Sequence, residues 1–413
     1  MNRLFQIFAR ADLTALLSWL ILGVIGVATV YSCTQALPGG EAGVRRLVGI
    51  GVFYQQLIWF GLGILVAAVC ILIPIRFFET FAYLCYGIAL LALVAVFVVG
   101  PERAGTHRWL ALGPISIQPS ELAKVAFLFA VARFLAVRGG KSQAFSVLGV
   151  MLLALPPFFL ILKEPDLGTA LVFLVLGAPM LYWVGVKAGF LLALASPLVS
   201  GLIMFYGQEV LRSNWPWAIY IIVLLGTLFY SRLYMLQSTI LVGANLATGL
   251  GIPLVWEKLK PYQQDRILTF FKPGETDPLG TGYQVYQSKV AIGSGGILGK
   301  GYLHGTQKGL AFLPERHTDF IFSVVGEELG LVGALVVLTL FALLFYRAVK
   351  VAGAAKRSFA SLLAIGVGTY FFFQSFVNIS ITLGLLPVTG LPLPFITYGG
   401  SSMLTSCIMV GLL

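Results

Sequence analysis

A chain of 413 residues that is 59% hydrophobic and 10% charged, with a mean hydropathy of +0.94, has too little polar surface to solvate a soluble globule, which sets aside a soluble multidomain protein. The formal charge of +11 is scattered through short loops between apolar runs, so it speaks for membrane orientation and against nucleic-acid binding. The apolar runs are continuous where a β-barrel would alternate, leaving an all-α polytopic membrane protein.

Each run of roughly 17 to 25 apolar residues can cross a hydrocarbon core of about 30 Å as a helix. The first, 13–32, follows Arg3 and Arg10 without a small-residue cleavage pattern and is expected to be an uncleaved span. Further spans are predicted at 54–74, 78–99, 120–137, 145–162, 167–186 and 190–206. Beyond a long polar segment come 331–346 with its preceding turns from Asp319, then 361–383 and 395–413, ten spans in all. Two weaker runs, 215–230 and 234–256, carry Gln237, Ser238 and Asn245 in the second; an extra transmembrane hairpin over 215–256 would raise the count to twelve without changing the sidedness of the later spans. The chain reads as a single transmembrane domain, 1–413, with a large external loop at 257–318. Cys70, Cys85 and Cys407 inside apolar runs, and Cys33 near a span end, read as buried thiols, with no disulfide framework or zinc site.

Short loops set the orientation. Arg76, Arg133, Arg138, Lys141, Lys187, Arg347, Lys350, Lys356 and Arg357 fall on the side of Arg3 and Arg10, which is cytoplasmic by the positive-inside rule, although Arg45 and Arg46 fall opposite. The outer face then receives 101–119, the corner 163–166 and the loop 257–318. In that loop, Val285, Ser288, Lys289 and Ile292 recur at helical spacing, as in a helix lying on the bilayer surface.

Several motifs bear on chemistry. The glycine-rich GSGGILGKG, 293–301, is not a phosphate loop, because Ser294 and Gly301 stand where glycine and Ser or Thr are needed. Leu298 likewise spoils a dinucleotide fingerprint, so no nucleotide cofactor is expected and a tight turn is the reading. In QPSELAK, Ser120 is a candidate N-cap, and Glu121 with Lys124 share a helix face at i and i+3. Charge at membrane depth costs several kcal/mol, on the order of 2.5 to 3.5, so the two pair with each other or line an aqueous cavity. In KEPDLG, Pro165 ends one helix and Asp166 can cap the next. HRWL adds Arg108, a guanidinium suited to two phosphate oxygens.

The stretch 313–330, LPERHTDFIFSVVGEELG, concentrates charge in an apolar chain. Asp319 stands where the loop enters a span, as an N-cap, a metal ligand or a general base. Zinc lacks ligands, with three histidines in the chain. Glu327 and Glu328 lie about 12 to 14 Å further along the helix axis and read as braces between helices.

Taken in order, HRWL, QPSELAK, EPDLGT, DPLGTGYQVYQSKVAIGSGGILGKGYLHGTQ, LPERHTDFIFSVVGEELG and LPVTGLPLPFITYGGSS resemble the SEDS family of RodA and FtsW across most of the chain. Arg316 and the HGTQ before it are similar to the RodA branch. The resemblance implies a ten-helix SEDS-type bundle in the bacterial cytoplasmic (inner) membrane. It implies a peptidoglycan glycosyltransferase for cell elongation and shape that polymerises lipid II on the extracytoplasmic face and releases undecaprenyl diphosphate. Its partners would be a class B penicillin-binding protein, the elongation machinery and membrane lipids. By the same resemblance Asp319 is catalytic, while Glu121, Lys124, Asp166, Arg108 and Lys289 bind substrate. Asp319 is also a candidate ligand for a divalent cation, magnesium or manganese, bridging it to diphosphate. A carboxylate at the edge of low-dielectric lipid holds a proton more readily than one in water, which suits a general base. A transporter or flippase for the lipid-linked precursor is the alternative, since paired charges in a bundle also mark substrate paths. Two departures accompany the match: the run 215–256 exceeds the ten-helix core, and the sequence ends within its last span without the family's basic tail.

Overall fold

The computed structural model describes residues 12–34, 42–103, 106–112, 115–140, 142–231, 235–259, 261–271, 281–306 and 318–413. They divide into two compact units, one of Met1–Gly185 with Gln284–Leu413 and one of Val186–Tyr283.

The first unit opens with α1 (Leu13–Thr34), α2 (Ala42–Leu72) and α3 (Ile75–Val99), which contain the first and third predicted spans and all but the last two residues of the second. Pro74 caps the start of α3, where its fixed φ and missing N–H cost nothing. Short strands follow that the all-α reading did not foresee. β1 (Glu102–Arg103) pairs with β2 (Thr106–His107), and β3 (Leu110–Leu112) with β4 (Ile115–Ile117), both antiparallel. The alternation of Leu110, Leu112, Ile115 and Ile117 with smaller residues is their local signature. The two ladders leave Arg108 and Trp109 in the link between them.

Next come α4 (Pro119–Arg138), α5 (Gln143–Lys163) and α6 (Leu167–Trp183). The expected N-cap at Ser120 is corrected: Gln118 takes the cap position, Pro119 opens the helix, and Ser120 lies buried inside it. Proline is pre-shaped for the first helical position, so α4 begins a residue earlier. Eight described helices are long and apolar enough to cross a membrane, and three shorter ones are apolar. α4 is in neither group, because Glu121, Lys124, Arg133 and Arg138 lower its hydropathy. It is instead the interior helix, packed against α3, α5 and α6 and against two C-terminal helices, with buried residues running from Pro119 to Ala132 except for Leu122. A helix that is too polar for lipid is covered by protein on every side.

The second unit holds α7 (Ala188–Glu209), α8 (Trp215–Ser231), α9 (Met235–Lys258) and α10 (Pro261–Phe271). The two weaker runs are thus helices, α8 and α9. Polar side chains stitch them to α7. Asn245, fully buried, donates to Ser196 Oγ at 2.8 Å and accepts from Tyr220 at 2.9 Å, while Trp217 donates to Ser200 Oγ at 2.9 Å. Satisfied amide and hydroxyl groups of this kind hold helices together where apolar burial gives little preference over lipid.

The chain returns to the first unit through α11 (Thr281–Gly295), α12 (Ile321–Ala354), α13 (Ser358–Thr382) and α14 (Gly400–Leu412). α12 is broken at Gly330, whose φ of 65° and ψ of −161° are outside helical space. Before the break, every residue from Ile321 to Glu328 is buried; after it, Leu331, Val332, Leu335 and Val336 are exposed. The predicted last span is shortened, because residues 384–399, with Pro387, Pro392 and Pro394, form a packed non-helical loop before α14. Its Leu391, Leu393, Phe395 and Ile396 are buried.

Ion pairs define one end of this unit: Asp12 with Arg347 at 2.6 Å and Glu79 with Arg357 at 3.4 Å. At the other end Gln118 N–H donates to Ser401 Oγ at 2.9 Å, and the corner at Gly168 sits on the Thr389 carbonyl. The predicted inner and outer charges are therefore sorted to opposite ends.

Candidate active site

The outer end gathers most of the residues singled out in the sequence. Asp166 caps α6 as predicted, its Oδ1 accepting from Thr169 N at 3.1 Å and its Oδ2 from Thr169 Oγ1 at 3.0 Å. Arg108 reaches into the same corner: Nε donates to the Glu164 carbonyl at 2.8 Å, one terminal nitrogen to the Pro165 carbonyl at 2.7 Å, and the other lies 3.7 Å from Asp166 Oδ2. The guanidinium is 27% exposed, so it is anchored from behind and still presents an edge outward. Glu164 is 2% exposed. Its burial and the Asp166 charge push its carboxyl up to about 8, with Arg108 pulling it down.

Asp319 lies on the other side of the 384–399 loop. It is half-buried, in a turn just before α12, and its backbone carbonyl accepts from Asn378 Nδ2 at 3.1 Å. The same Asn378 amide donates to the Leu391 carbonyl at 2.8 Å, and Thr397 Oγ1 accepts from Leu393 N at 2.8 Å while facing the Thr318 carbonyl at 3.4 Å. A Cβ added to Gly390 would stand 3.8 Å from Asp319 Oδ2. The N-cap alternative for Asp319 falls, since Phe320 occupies the cap position and no side chain caps α12. Thr389 against Gly168 and Gly390 beside Asp319 make one short stretch of loop the partition between the two acidic corners. Residues 307–317, with Glu315, Arg316 and His317, lie outside the described residues.

Lys289 is exposed on α11, which is anchored by its buried neighbour Ser288 donating to the Thr382 carbonyl at 2.8 Å. Its ammonium lies against Gly384, the first residue of the same loop. Lys289 and Asp319 thus border the loop 384–399, and the Arg108–Asp166 corner meets it through Gly168 against Thr389.

Glu121 and Lys124 are placed differently. Lys124 Nζ donates to Glu121 Oε1 at 2.8 Å with side chains 0% and 3% exposed, and Nζ sits 5.6 Å from the centre of the Tyr370 ring. The pairing expected from their spacing is present, and α13 with its Tyr370 closes over it, leaving Lys124 fully buried. Tyr370, Gln374 and Asn378 recur every four residues along α13, all fully buried, so this polar stripe runs from Lys124 to the backbone of Asp319.

Glu327 and Glu328 belong to a separate brace. Glu327 accepts from Lys300 Nζ, Thr306 N and Thr306 Oγ1 at 2.8, 2.8 and 3.0 Å, and Glu328 accepts from Ser32 of α1 at 2.6 Å. The glycine-rich motif explains itself here. Lys300 N and Gly301 N donate to the Glu327 and Glu328 carbonyls, while Leu331 N and Val332 N donate to Gly296 and Ile297. Those four bonds satisfy backbone groups freed by the Gly330 break. Gly299, with φ of 82°, lies against the Glu328 carbonyl where a side chain would collide.

Sequence reading already placed Glu164, with Lys163, as charge at this corner, but it missed Tyr370, Gln374 and Asn378. The signal for these three was available, as hydroxyl and amide groups inside an apolar span. Among the described residues no three His, Cys, Asp or Glu side chains converge to hold a metal. Asp319 alone does not make a metal centre, though one carboxylate suits magnesium or manganese when phosphate oxygens complete the shell.

The family model for cell cycle proteins, FTSW_RODA_SPOVE, matches residues 12–218 and 216–413. The peptidoglycan glycosyltransferase MrdB of Escherichia coli K12 is 38% identical over 357 residues, covering 86% of this chain and 82% of that protein. A chain from a structure described as a peptidoglycan synthase complex that coordinates polymerization and crosslinking superposes with a TM-score of 0.67 at 32% identity, covering 98% and 96% of the two chains. The crystal structure of the rod shape determining protein RodA of Thermus thermophilus gives 0.61 at 27% identity, covering 98% and 95%. With its motif blocks in order, its helical bundle and matches along nearly its whole length, the chain belongs to the FtsW, RodA and SpoVE family of cell cycle proteins.

Proposed function

We propose that this protein is a peptidoglycan glycosyltransferase of the RodA type, polymerising lipid II at the extracytoplasmic face of the bacterial cytoplasmic membrane during cell elongation. The observation that carries the reading is the setting of Asp319: a half-buried carboxylate, backbone-anchored by Asn378, across a thin loop from the Arg108 and Asp166 corner.

Asp319 acts as general base. It takes the proton of the acceptor sugar hydroxyl as that oxygen attacks the anomeric carbon of the donor. The bond from that carbon to the diphosphate breaks, and the electron pair leaves with undecaprenyl diphosphate. Arg108 and Lys289, two described cations with exposed ends, neutralise the departing charge. Asp166 holds Arg108 in place, and the Glu121–Lys124 pair acts from below by fixing α4 against α13. A divalent cation shared by Asp319 and the diphosphate would supply further charge neutralisation. Membership of the family and a neighbour from a synthase complex support a class B penicillin-binding protein as partner.

Full-length protein in proteoliposomes with labelled lipid II tests this. Asp319→Asn is expected to fold and to lose polymerisation by at least about a hundredfold, the usual contribution of a general base. Glycan strands made at normal rate by that variant would overturn the assignment, and lipid II translocation without any glycan product would favour a flippase.

A further inference from the structure

Glu164 has no part in the reaction so far, yet it is the most enclosed carboxyl of the outer corner. It is 2% exposed, and its Oε1 has no hydrogen-bond partner among the described residues. Its backbone carbonyl is engaged by Arg108. That guanidinium is already committed: it is held by two backbone carbonyls and faces Asp166, which is itself fixed by Thr169. An ionised Glu164 would add a second negative charge to a corner whose single guanidinium is balanced by Asp166.

We propose that Glu164 is a positioning residue that works as a neutral acid, keeping its proton so that the Arg108–Asp166 corner offers no net negative charge to an anionic lipid-diphosphate headgroup. Among the described residues the charged groups around it are few. Asp166 and the exposed Lys163 come from its own corner and Arg108 from the β2–β3 link; the 384–399 loop brings Thr389 onto Gly168, with Asp319 beyond Gly390. Of these, Asp166 opposes ionisation and Arg108 favours it, and burial outweighs both. Protons therefore stay on Glu164 through neutral pH and leave as pH rises through about 8, so the cluster of Arg108, Asp166 and Glu164 takes on a net negative charge only on the alkaline side.

The inference rests on the corner facing the substrate's diphosphate, and its test separates the two claims. Steady-state kcat and KM for lipid II are measured on the full-length protein in proteoliposomes from about pH 7 to about pH 9.5. The wild type is expected to show KM rising by about tenfold on the alkaline side with kcat nearly level, as for a like charge placed near a bound anion. Glu164→Gln, which keeps shape and neutrality, is expected to hold KM flat across the range. An unchanged alkaline rise in Glu164→Gln overturns the proposal, as does a flat KM in the wild type, which decides the matter alone if the variant misfolds. Absence of glycan product from the wild type at every pH would instead sink the glycosyltransferase reading.

Discussion

Two acid–lysine pairs in this protein have the same 2.8 Å separation and opposite settings. Glu121 and Lys124 are enclosed at both ends, while Lys300 is 26% exposed above a Glu327 that is 1% exposed. Glu327 also accepts from the backbone and hydroxyl of Thr306. Equal distances therefore conceal unequal dependence: the inner lysine has a carboxylate and a ring as its company, whereas the outer glutamate shares its charge among several donors. A buried carboxylate that loses its counter-ion has no water to turn to, and only one that keeps other donors is cushioned against the loss.

Three substitutions put that inequality to the test. Lys124→Met should cause the largest loss, about 3 to 5 kcal/mol, because it strands Glu121 in the interior. Adding Glu121→Gln to it should recover part of that loss, and thermal unfolding in detergent would reveal a double variant no better than the single. Gly299→Ala comes next, at about 1 to 3 kcal/mol, from a positive φ and a collision with the Glu328 carbonyl. Its loss should appear as lowered unfolding temperature with Glu121–Lys124 untouched. Lys300→Met should cost less than Lys124→Met, because the Glu327 it strands, although 1% exposed, still accepts from Thr306 N and Oγ1. A Lys300→Met variant as unstable as Lys124→Met would mean that the two pairs are equivalent after all.

Acidity adds a further check on the outer corner. Glu164 binds its proton more tightly folded than its ordinary value of 4.5 allows, up to about 8. The folded state therefore loses stability as pH rises from about 4.5 to about 8, and Glu164→Gln should flatten that slope in a pH series of unfolding midpoints.

Much of this was legible in the chain. Span positions followed from apolar length, and Asp166 as a helix cap from its place after Pro165. Glu121 and Lys124 could be paired from spacing, but their depth could not be read. Depth depends on α13 covering α4 from a distance of some 250 positions in sequence, with Tyr370 supplying the lid. Residues 395–399 looked apolar enough to begin the last span, and nothing local showed that they belong to a loop that turns and packs. The glycine-rich stretch was read as a turn; its partner across Gly330 lay about 30 residues on, beyond the reach of any local pattern.

The break at Gly330 also constrains biogenesis. A chain entering the bilayer presents 331–354 as an ordinary apolar span, but the half-turns before it carry Glu327 and Glu328 and have no lipid-compatible surface. Their acceptors are answered by Ser32, made early in synthesis, and by Lys300 and Thr306, made just before. The segment that begins at Asp319 therefore has its acidic groups satisfied only where α1 and the glycine-rich turn are in place around it.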